Sequence, residues 1–377
     1  MIKNFQNKKK SFENIIQRKG VIRGLLAFSK SLSPRPIAGM FSLLEEEIKT
    51  ISSVRLPIKE RIRAYKNGFT SDLYSLYNFE NNYNFNDYLS EFARLAYTKE
   101  INKNSEVLNN KRKFYEYMDK KGFVHYLPEL IDIIKNRKPQ NNKNLEKIIN
   151  EHRKVVIKPF RGGGGHNIYI IEKKKEFYYC VNGENKKIEN ISSLLDKTRN
   201  YIVTEYVNQS DFLNNIYPHS ANTMRILVMN PEDSDPFIAR SVLRIGTDRS
   251  GVFDNFSQGG LSVEINLKNG ELSPAASRIS PGNLKWYKKH PDTNTIIKGS
   301  TIPQWKNIKD NFLTLVNEFS ELKYVGWDIL LTGEGDFVII EGNSNTDIDL
   351  MQIHSQLLKD ERIRKFYLNN GIPNSWL

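Results

Sequence analysis

Asp328, Glu341 and Asn343 are the residues whose types and spacing best suit chemistry. They sit in two apolar runs, Tyr324-Val325-Gly326-Trp327-Asp328-Ile329-Leu330-Leu331 and Phe337-Val338-Ile339-Ile340-Glu341-Gly342-Asn343, around Thr332-Gly333-Glu334-Gly335-Asp336. This pattern predicts a β-hairpin. A tight turn centred between Glu334 and Gly335 sets Asp328 opposite Glu341, with Cβ atoms about 5 Å apart. Asn343, two residues on, projects from the same face. Val325, Trp327, Ile329, Leu331, Val338 and Ile340 then form the opposite, core-facing side. Two opposed carboxylates repel unless a cation lies between them. Two carboxylates and an amide offer only oxygen, which suits Mg²⁺ shared with substrate phosphates. The competing reading is a solvated hairpin edge with no chemistry.

A second signal is Val155-Val156-Ile157-Lys158-Pro159-Phe160-Arg161-Gly162-Gly163-Gly164-Gly165-His166, followed by the β-branched run Ile168-Tyr169-Ile170-Ile171. Glycines let backbone N–H groups approach phosphate oxygens closely. In a P-loop the lysine follows the glycines and a helix comes next. Here the lysine precedes them and a strand follows, so a phosphate-covering hairpin flap is expected; a plain flexible turn is the alternative. A third signal is Glu205, which ends the apolar run 201–207. A strand end with an acceptor and apolar walls suits a purine edge, though an exposed strand terminus reads the same way. A fourth is the set Arg225, Arg240 and Arg244 in strand-like sequence. Arg240 and Arg244, four apart, share a face. Arginine binds phosphate bidentately and stabilises charge on a transferred phosphoryl group, or it simply pairs with an acidic neighbour.

Around these signals, residues 1–105 read as helical, with apolar residues at helical spacing in 42–48 and 87–96. Ser33-Pro34-Arg35-Pro36 is expected to break any helix. The segment 20–28 is short, apolar and flanked by bases, fitting either an interfacial or a buried helix. A helix is expected over 111–118, closed by Gly122, and others over 192–196 and 308–319. Strands are expected at 155–158, 168–171, 177–181, 201–206, 223–229 and 237–245. The fold class is therefore α+β, with antiparallel hairpins outnumbering βαβ crossovers. Residues 274–303, rich in Pro, Gly, Asn and Ser, read as one long loop.

The formal charge of +13 over 377 residues favours anionic partners, although basic residues among asparagines also describe an ordinary solvated surface. Aromatics are not interleaved with bases on one strand set, so no nucleic-acid partner is expected. No window is apolar enough for a membrane span, which leaves peripheral membrane contact open. The start of the chain lacks the apolar region of a secretory signal. A single cysteine, Cys180, fits a reducing cytoplasm and a small apolar role in a strand.

Taken in order, these residues resemble the ATP-grasp superfamily over residues 106–355. The resemblance implies ATP held between two α+β subdomains. It makes Lys111 and Lys158 the nucleotide lysines, and Arg161, Gly162, Gly163, Gly164, Gly165 and His166 the flap. Glu205, Tyr206 and Val207 become the adenine hinge, and Asp328, Glu341 and Asn343 the Mg²⁺ ligands. The arginine strand around Arg225 and Arg244, with the Asn255 to Gly259-Gly260 loop, is similar to the glutamate-ligase branch. The runs Asp254-Asn255-Phe256-Ser257-Gln258-Gly259-Gly260, His290-Pro291-Asp292 and Tyr324-Val325-Gly326-Trp327-Asp328 look like the sugar-transfer-associated ATP-grasp proteins. Implied domains are a helical region 1–105, a small subdomain 106–207 and a large subdomain 208–377. The implied activity is ATP- and Mg²⁺-dependent joining of a carboxylate to an amine, through an acyl phosphate, in surface or capsular polysaccharide modification. In that reaction Arg225, Arg240 and Arg244 act on the phosphoryl group, and Asn255 contacts ribose or acceptor. The alternative is a kinase acting on a sugar or polyol hydroxyl. Two departures stand out. Many relatives carry an arginine two residues before the metal aspartate, where this chain has Gly326. The helical N-terminal third also differs from the usual α/β domain.

Overall fold

Antiparallel pairing organises every strand whose register is described. The computed structural model describes residues 34–377, apart from 83, 142–143, 176, 181–185, 189, 192 and 195–198. The expectations for 20–28 and for most of the helix at 192–196 lie outside the described residues. The chain divides into two units. One comprises residues 102–278 and 285–346; the other comprises 1–101, 279–284 and 347–377. The last thirty or so residues thus group with the helical region, where the sequence placed them with the large subdomain.

Two seven-stranded sheets carry the strands. In chain order these are β1 (Leu130–Lys135), β2 (Lys138–Pro139), β3 (Lys154–Pro159), β4 (Tyr169–Lys174), β5 (Phe177–Cys180), β6 (Lys186–Ile188) and β7 (Asn200–Glu205) in the first. The second holds β8 (Met224–Met229), β9 (Phe237–Ile245), β10 (Leu261–Glu264), β11 (Ala275–Ser280), β12 (Asn283–Tyr287), β13 (Tyr324–Leu331) and β14 (Phe337–Asn343). Their orders are β2-β1-β7-β3-β4-β5-β6 and β12-β11-β10-β9-β8-β13-β14. The long loop expected at 274–303 is in part strand. Ala275, Ala276 and Ser277 are buried, and Pro281-Gly282, with Gly282 at φ +73°, forms the connection to β12. Small residues at a packed face carry little hydropathy, which hid β11 from a composition-based reading. The β1–β2 ribbon was also missed. It turns at Asn136-Arg137, both at positive φ (51° and 68°), as a two-residue hairpin turn requires.

Strands β13 and β14 form the expected hairpin, with Asp328 paired to Glu341. Beyond that pair the register slips, so that Ile329 meets Ile339 rather than Ile340. This is a β-bulge. It corrects the face assignment on β14: Phe337 and Ile339 are buried, while Val338 and Ile340 are half-buried. All eight residues of β13 are buried, because β8 and β14 flank it and helices cover its Trp327 face. One of these is Trp305–Asn317, which buries Trp305, Ile308, Phe312, Leu315 and Val316 at helical spacing. Another is Lys111–Lys120, which buries Phe114, Tyr115 and Met118. The rings of Phe114 and Phe312 each stand 6.1 Å from Trp327. With that face apolar, the neighbouring residues Gly326 and Asp328 look to the opposite side.

In the helical unit, Pro36 does not break the helix. It lies in the first turn of Arg35–Thr50, where a missing N–H costs nothing. An aromatic cluster of Phe69, Tyr74, Tyr77, Phe79 and Tyr88 forms this unit's core. The buried Glu47 carboxylate anchors it, accepting from Arg61 at 3.0 Å and from the Ser71 N–H at 2.7 Å.

Gly326 has a steric reason. A Cβ there would come within 2.3 Å of the Thr346 Oγ1 and 2.5 Å of its Cβ. Gly326→Ala is therefore expected to cost about 1–3 kcal/mol through overpacking, read as a lower midpoint in denaturant unfolding. An unchanged midpoint would show that Thr346 moves aside freely.

Candidate active site

A chain of alternating charges runs across the face of the second sheet that is turned away from Trp327. Arg225 on β8 lies directly opposite Asp328 on β13. Its Nε donates to Asp328 Oδ1, its Nη2 to Oδ2 at 2.9 Å, and its Nη1 to Thr346 Oγ1 at 2.8 Å. Arg244 on β9 lies two residues beyond the Arg225 partner Val242, so it shares this face. Its Nη2 reaches Asp328 Oδ2 at 3.1 Å and Asp254 Oδ1 at 3.3 Å. Thr223 completes the link: its hydroxyl accepts from Arg244 Nη2 at 2.6 Å and donates to Asp254 Oδ2. Thr223 and Thr346 were not legible in the sequence, because neither belongs to a charged pattern. Arg240, four residues from Arg244 on β9 and so on the same face, donates to the carbonyl of its neighbour Ala239 at 2.8 Å.

Glu341 is held from the other side. Lys111 Nζ stands 3.1 Å from Glu341 Oε2 and donates to the Gly162 carbonyl at 2.9 Å. Lys111 is placed by its own helix: Asn110 caps the first turn by accepting from the Lys113 N–H, and the Lys111 N–H donates to the Phe160 carbonyl at 2.8 Å. Burial by itself would raise the Glu341 carboxyl, but Lys111, Arg225 and Lys158 hold it well below the ordinary range. Burial pushes the Lys158 ammonium down to about 8, with Glu341 opposing that shift. Asn343 Nδ2 lies within 3.4 Å of Glu341 Oε1 and 3.3 Å of the Gly326 carbonyl.

The glycine loop joins β3 to β4 as an antiparallel hairpin. Gly162, Gly164 and Gly165 have φ of +127°, +67° and +75°, conformations that side-chain-bearing residues rarely adopt. The loop is tied at several points. Arg161 pairs with Glu106. The side chains of Asn255 and Gln258 both donate to the Gly164 carbonyl at 3.4 Å. Gly165 packs under the Phe253 ring, 3.2 Å from where a Cβ would stand. Asn255 therefore touches the flap itself. Gly163 has open space where a side chain would be, and His166 lies beside Gly164, its ring carbon Cδ2 3.4 Å from a Cβ there.

At the end of β7, Glu205 Oε1 accepts from the Glu129 N–H at 2.9 Å. Tyr206 carries the Lys154 ammonium 3.6 Å above its ring, and Val207 packs against the main core. His290 has a structural role: its Nδ1 accepts from the Asp292 and Thr293 N–H groups, so its Nε2 donates to the Gly246 carbonyl at 2.8 Å.

Among the described residues no group of three or more His, Cys, Asp or Glu stands ready to hold a metal. Glu341 and Asn343 still present a carboxylate and an amide side by side. That set fits a hard cation whose remaining ligands are substrate oxygens and water. Asp328 differs, because both its oxygens are engaged by arginine.

Two outcomes follow from this network. Asp328→Asn leaves the buried Arg225 without its carboxylate partner, while Arg244 keeps Asp254 at 3.3 Å, and is expected to cost about 3–5 kcal/mol in denaturant unfolding. A loss within experimental error would show that the arginines find water or other partners. Lys158 titrates lower in the folded chain, near 8, than its ordinary 10.5, so the unfolded chain binds more protons between those values. Its destabilising effect is full below about pH 8 and fades as pH rises towards 10.5. Lys158→Met should therefore raise the melting temperature at pH 7 and gain less at pH 10. An equal gain at both would remove the charge as its cause.

A family model described as sugar-transfer associated ATP-grasp matches residues 93–365. No curated protein matches the sequence significantly. Among solved structures, D-alanyl-alanine synthetase A from Vibrio cholerae is similar at 10% identity, covering 71% of this chain and 66% of that one, with a TM-score of 0.40. D-alanine–D-alanine ligase from Bacillus anthracis is similar at 13% identity, covering 70% and 69%, with a TM-score of 0.37. An ADP complex of N5-carboxyaminoimidazole ribonucleotide synthetase is similar at 11% identity and a TM-score of 0.36; the match covers 65% of this chain but only 46% of that synthetase. With the family model spanning well over half of its length, the chain belongs to the sugar-transfer associated ATP-grasp family.

Proposed function

We propose that the protein is an ATP- and Mg²⁺-dependent ligase that joins a carboxylate to an amine through an acyl phosphate and forms ADP. The observation that carries this reading is Lys111, whose ammonium bridges the Glu341 carboxylate and the backbone of the glycine loop. A single cation linking a carboxylate hairpin to a glycine hairpin supports a phosphate chain lying between the two. Lys111 and Lys158 neutralise the α- and β-phosphates there. Residues 161–166 cover them and keep water from the reacting centre. Glu205, Tyr206 and Val207 receive the adenine. Glu341 and Asn343 would hold Mg²⁺, which would neutralise charge on the phosphates; Asp328, the third member of that set by the family resemblance, is held through both oxygens by Arg225.

In the proposed reaction a substrate carboxylate oxygen attacks the γ-phosphorus and ADP leaves. Arg225 and Arg244 stabilise the charge that develops on the transferred group. An amine then adds to the acyl carbon, loses a proton and expels phosphate. Arg240, held at its own strand, contributes at most to the rim. Support for a substrate linked to surface or capsular polysaccharide comes from the family description alone, which is an analogy and not a property of the site. The reaction takes place, in this reading, in the cytoplasm, where ATP is at hand.

The test is incubation with ATP, Mg²⁺ and pooled sugar acids, amino sugars and amino acids, followed by mass spectrometry. The expected result is a condensation product with ADP and phosphate. Added hydroxylamine should divert the acyl phosphate to a hydroxamate. A phosphoester that resists hydroxylamine would replace the ligase by a kinase. Glu341→Gln should lower turnover by about a thousandfold or more, of the order expected when a group acting on transition-state charge is lost, with the fold retained and the melting temperature at pH 7 lowered by loss of the pairing with Lys111. Normal ADP release by that variant would contradict the assignment of Glu341.

A further inference from the structure

The helical unit carries an apolar face that its own core does not use. Along Arg35–Thr50, the buried residues Gly39, Ser42, Leu43 and Glu47 mark one side. Ile37, Met40 and Leu44 recur at three- and four-residue spacing on the other, and Ile51 continues the stripe just past the helix end. Each is two-fifths exposed or more. The next helix, Ile58–Lys66, repeats the arrangement: Ile58 and Ile62, four apart, are 69% and 49% exposed. Lys59, Arg63 and Lys66 lie on the adjoining face, all exposed. Arg61 ties the two helices together, donating to Glu47 on the first and to the Ile51 and Val54 carbonyls between them.

We infer that this face rests on an anionic lipid surface. Single exposed apolar residues are ordinary, but a contiguous stripe marks an interaction site. Charge decides the occupant. Residues 34–66 hold seven Lys and Arg against four Asp and Glu, a formal +3, with Arg63 paired to Glu60 at 2.9 Å; residues 1–33, joined directly to this helix, add eight bases against one acid. An apolar stripe beside a basic face is the pattern of a helix lying in a membrane interface, where bases meet anionic headgroups and the apolar side chains enter the acyl boundary. A second copy of the chain is disfavoured, because a symmetric contact would bring together two copies of a segment whose first 66 residues sum to +10, base against base. Nucleic acid would meet the charge but offers no seat for Ile37, Met40 and Leu44. No helix among the described residues is long and apolar enough to cross a membrane, so contact of this kind is from one side only. The inference is independent of the reaction proposed above.

The experiment is sedimentation of the intact protein with vesicles of phosphatidylglycerol and phosphatidylcholine in equal parts, and with phosphatidylcholine alone. Binding is expected only to the anionic vesicles and should weaken with added salt. Ile37→Ser/Met40→Ser/Leu44→Ser in one chain should weaken it by about tenfold or more, given the apolar area removed, with an unchanged melting temperature and unchanged ATP turnover. Lys59→Glu/Arg63→Glu/Lys66→Glu should do the same. Absence of binding by the intact protein would overturn the inference, as would equal binding by the triple serine variant. So would a concentration-dependent dimer that the serine variant abolishes, since that would give the face to a second copy.

Discussion

The buried pair Arg225–Asp328 is the constraint on which the rest of the site depends. Both side chains are nearly out of solvent, and a lone charge in that setting would be very costly. They meet because β8 and β13 are neighbours in register, and that register holds because the reverse face of β13 is packed with Trp327 and Ile329. The pair in turn recruits Arg244, and Arg244 recruits Thr223 and Asp254. What results is a row of charges whose members cannot be altered singly without leaving a partner uncompensated. Such a row is poor economy for stability alone, since an apolar pair of similar volume would hold the strands as well. It is a sound arrangement for a site that must meet a polyanion with its charged groups already in place.

The same row explains how the acidic hairpin is tolerated in the absence of a cation. Asp328 and Glu341 face each other across β13 and β14, yet each is matched by bases: Asp328 by Arg225 and Arg244, Glu341 by Lys111 with Lys158 nearby. In the proposed reaction Lys111 and Lys158 would face phosphate oxygens, and Glu341 would hold Mg²⁺, which would supply counter-charge to that carboxylate. Lys111 is placed for this by its helix, whose backbone is tied at Phe160, while its ammonium bridges Glu341 and the Gly162 carbonyl.

Much of this was legible in the sequence, and for definable reasons. The opposition of Asp328 and Glu341 followed from alternation and turn length, two local properties of a strand pair. The glycine hairpin followed from the order lysine, glycines, β-branched run. The bulge beyond Asp328 was not legible, because a one-residue slip leaves the pattern of apolar residues nearly unchanged while moving Ile339, not Ile340, into the core. The sequence leaves Arg225 as either a phosphate ligand or the partner of an acidic neighbour, without naming that neighbour; 103 positions separate it from Asp328, and no local pattern encodes the adjacency of β8 and β13. The residue absent from position 326 is explained only in three dimensions, by the Thr346 side chain that fills the space. In the helical unit, Pro36 reads as a breaker until its place in a first turn is known. The alliance of residues 347–377 with that unit depends on packing alone.

The most direct measurement is anomalous diffraction from crystals grown with Mn²⁺ and a non-hydrolysable ATP analogue. The account predicts a metal peak beside the Glu341 and Asn343 side chains, with the triphosphate lying between that hairpin and the loop 161–166. A nucleotide elsewhere in the molecule, or a metal with no contact to Glu341, would contradict it.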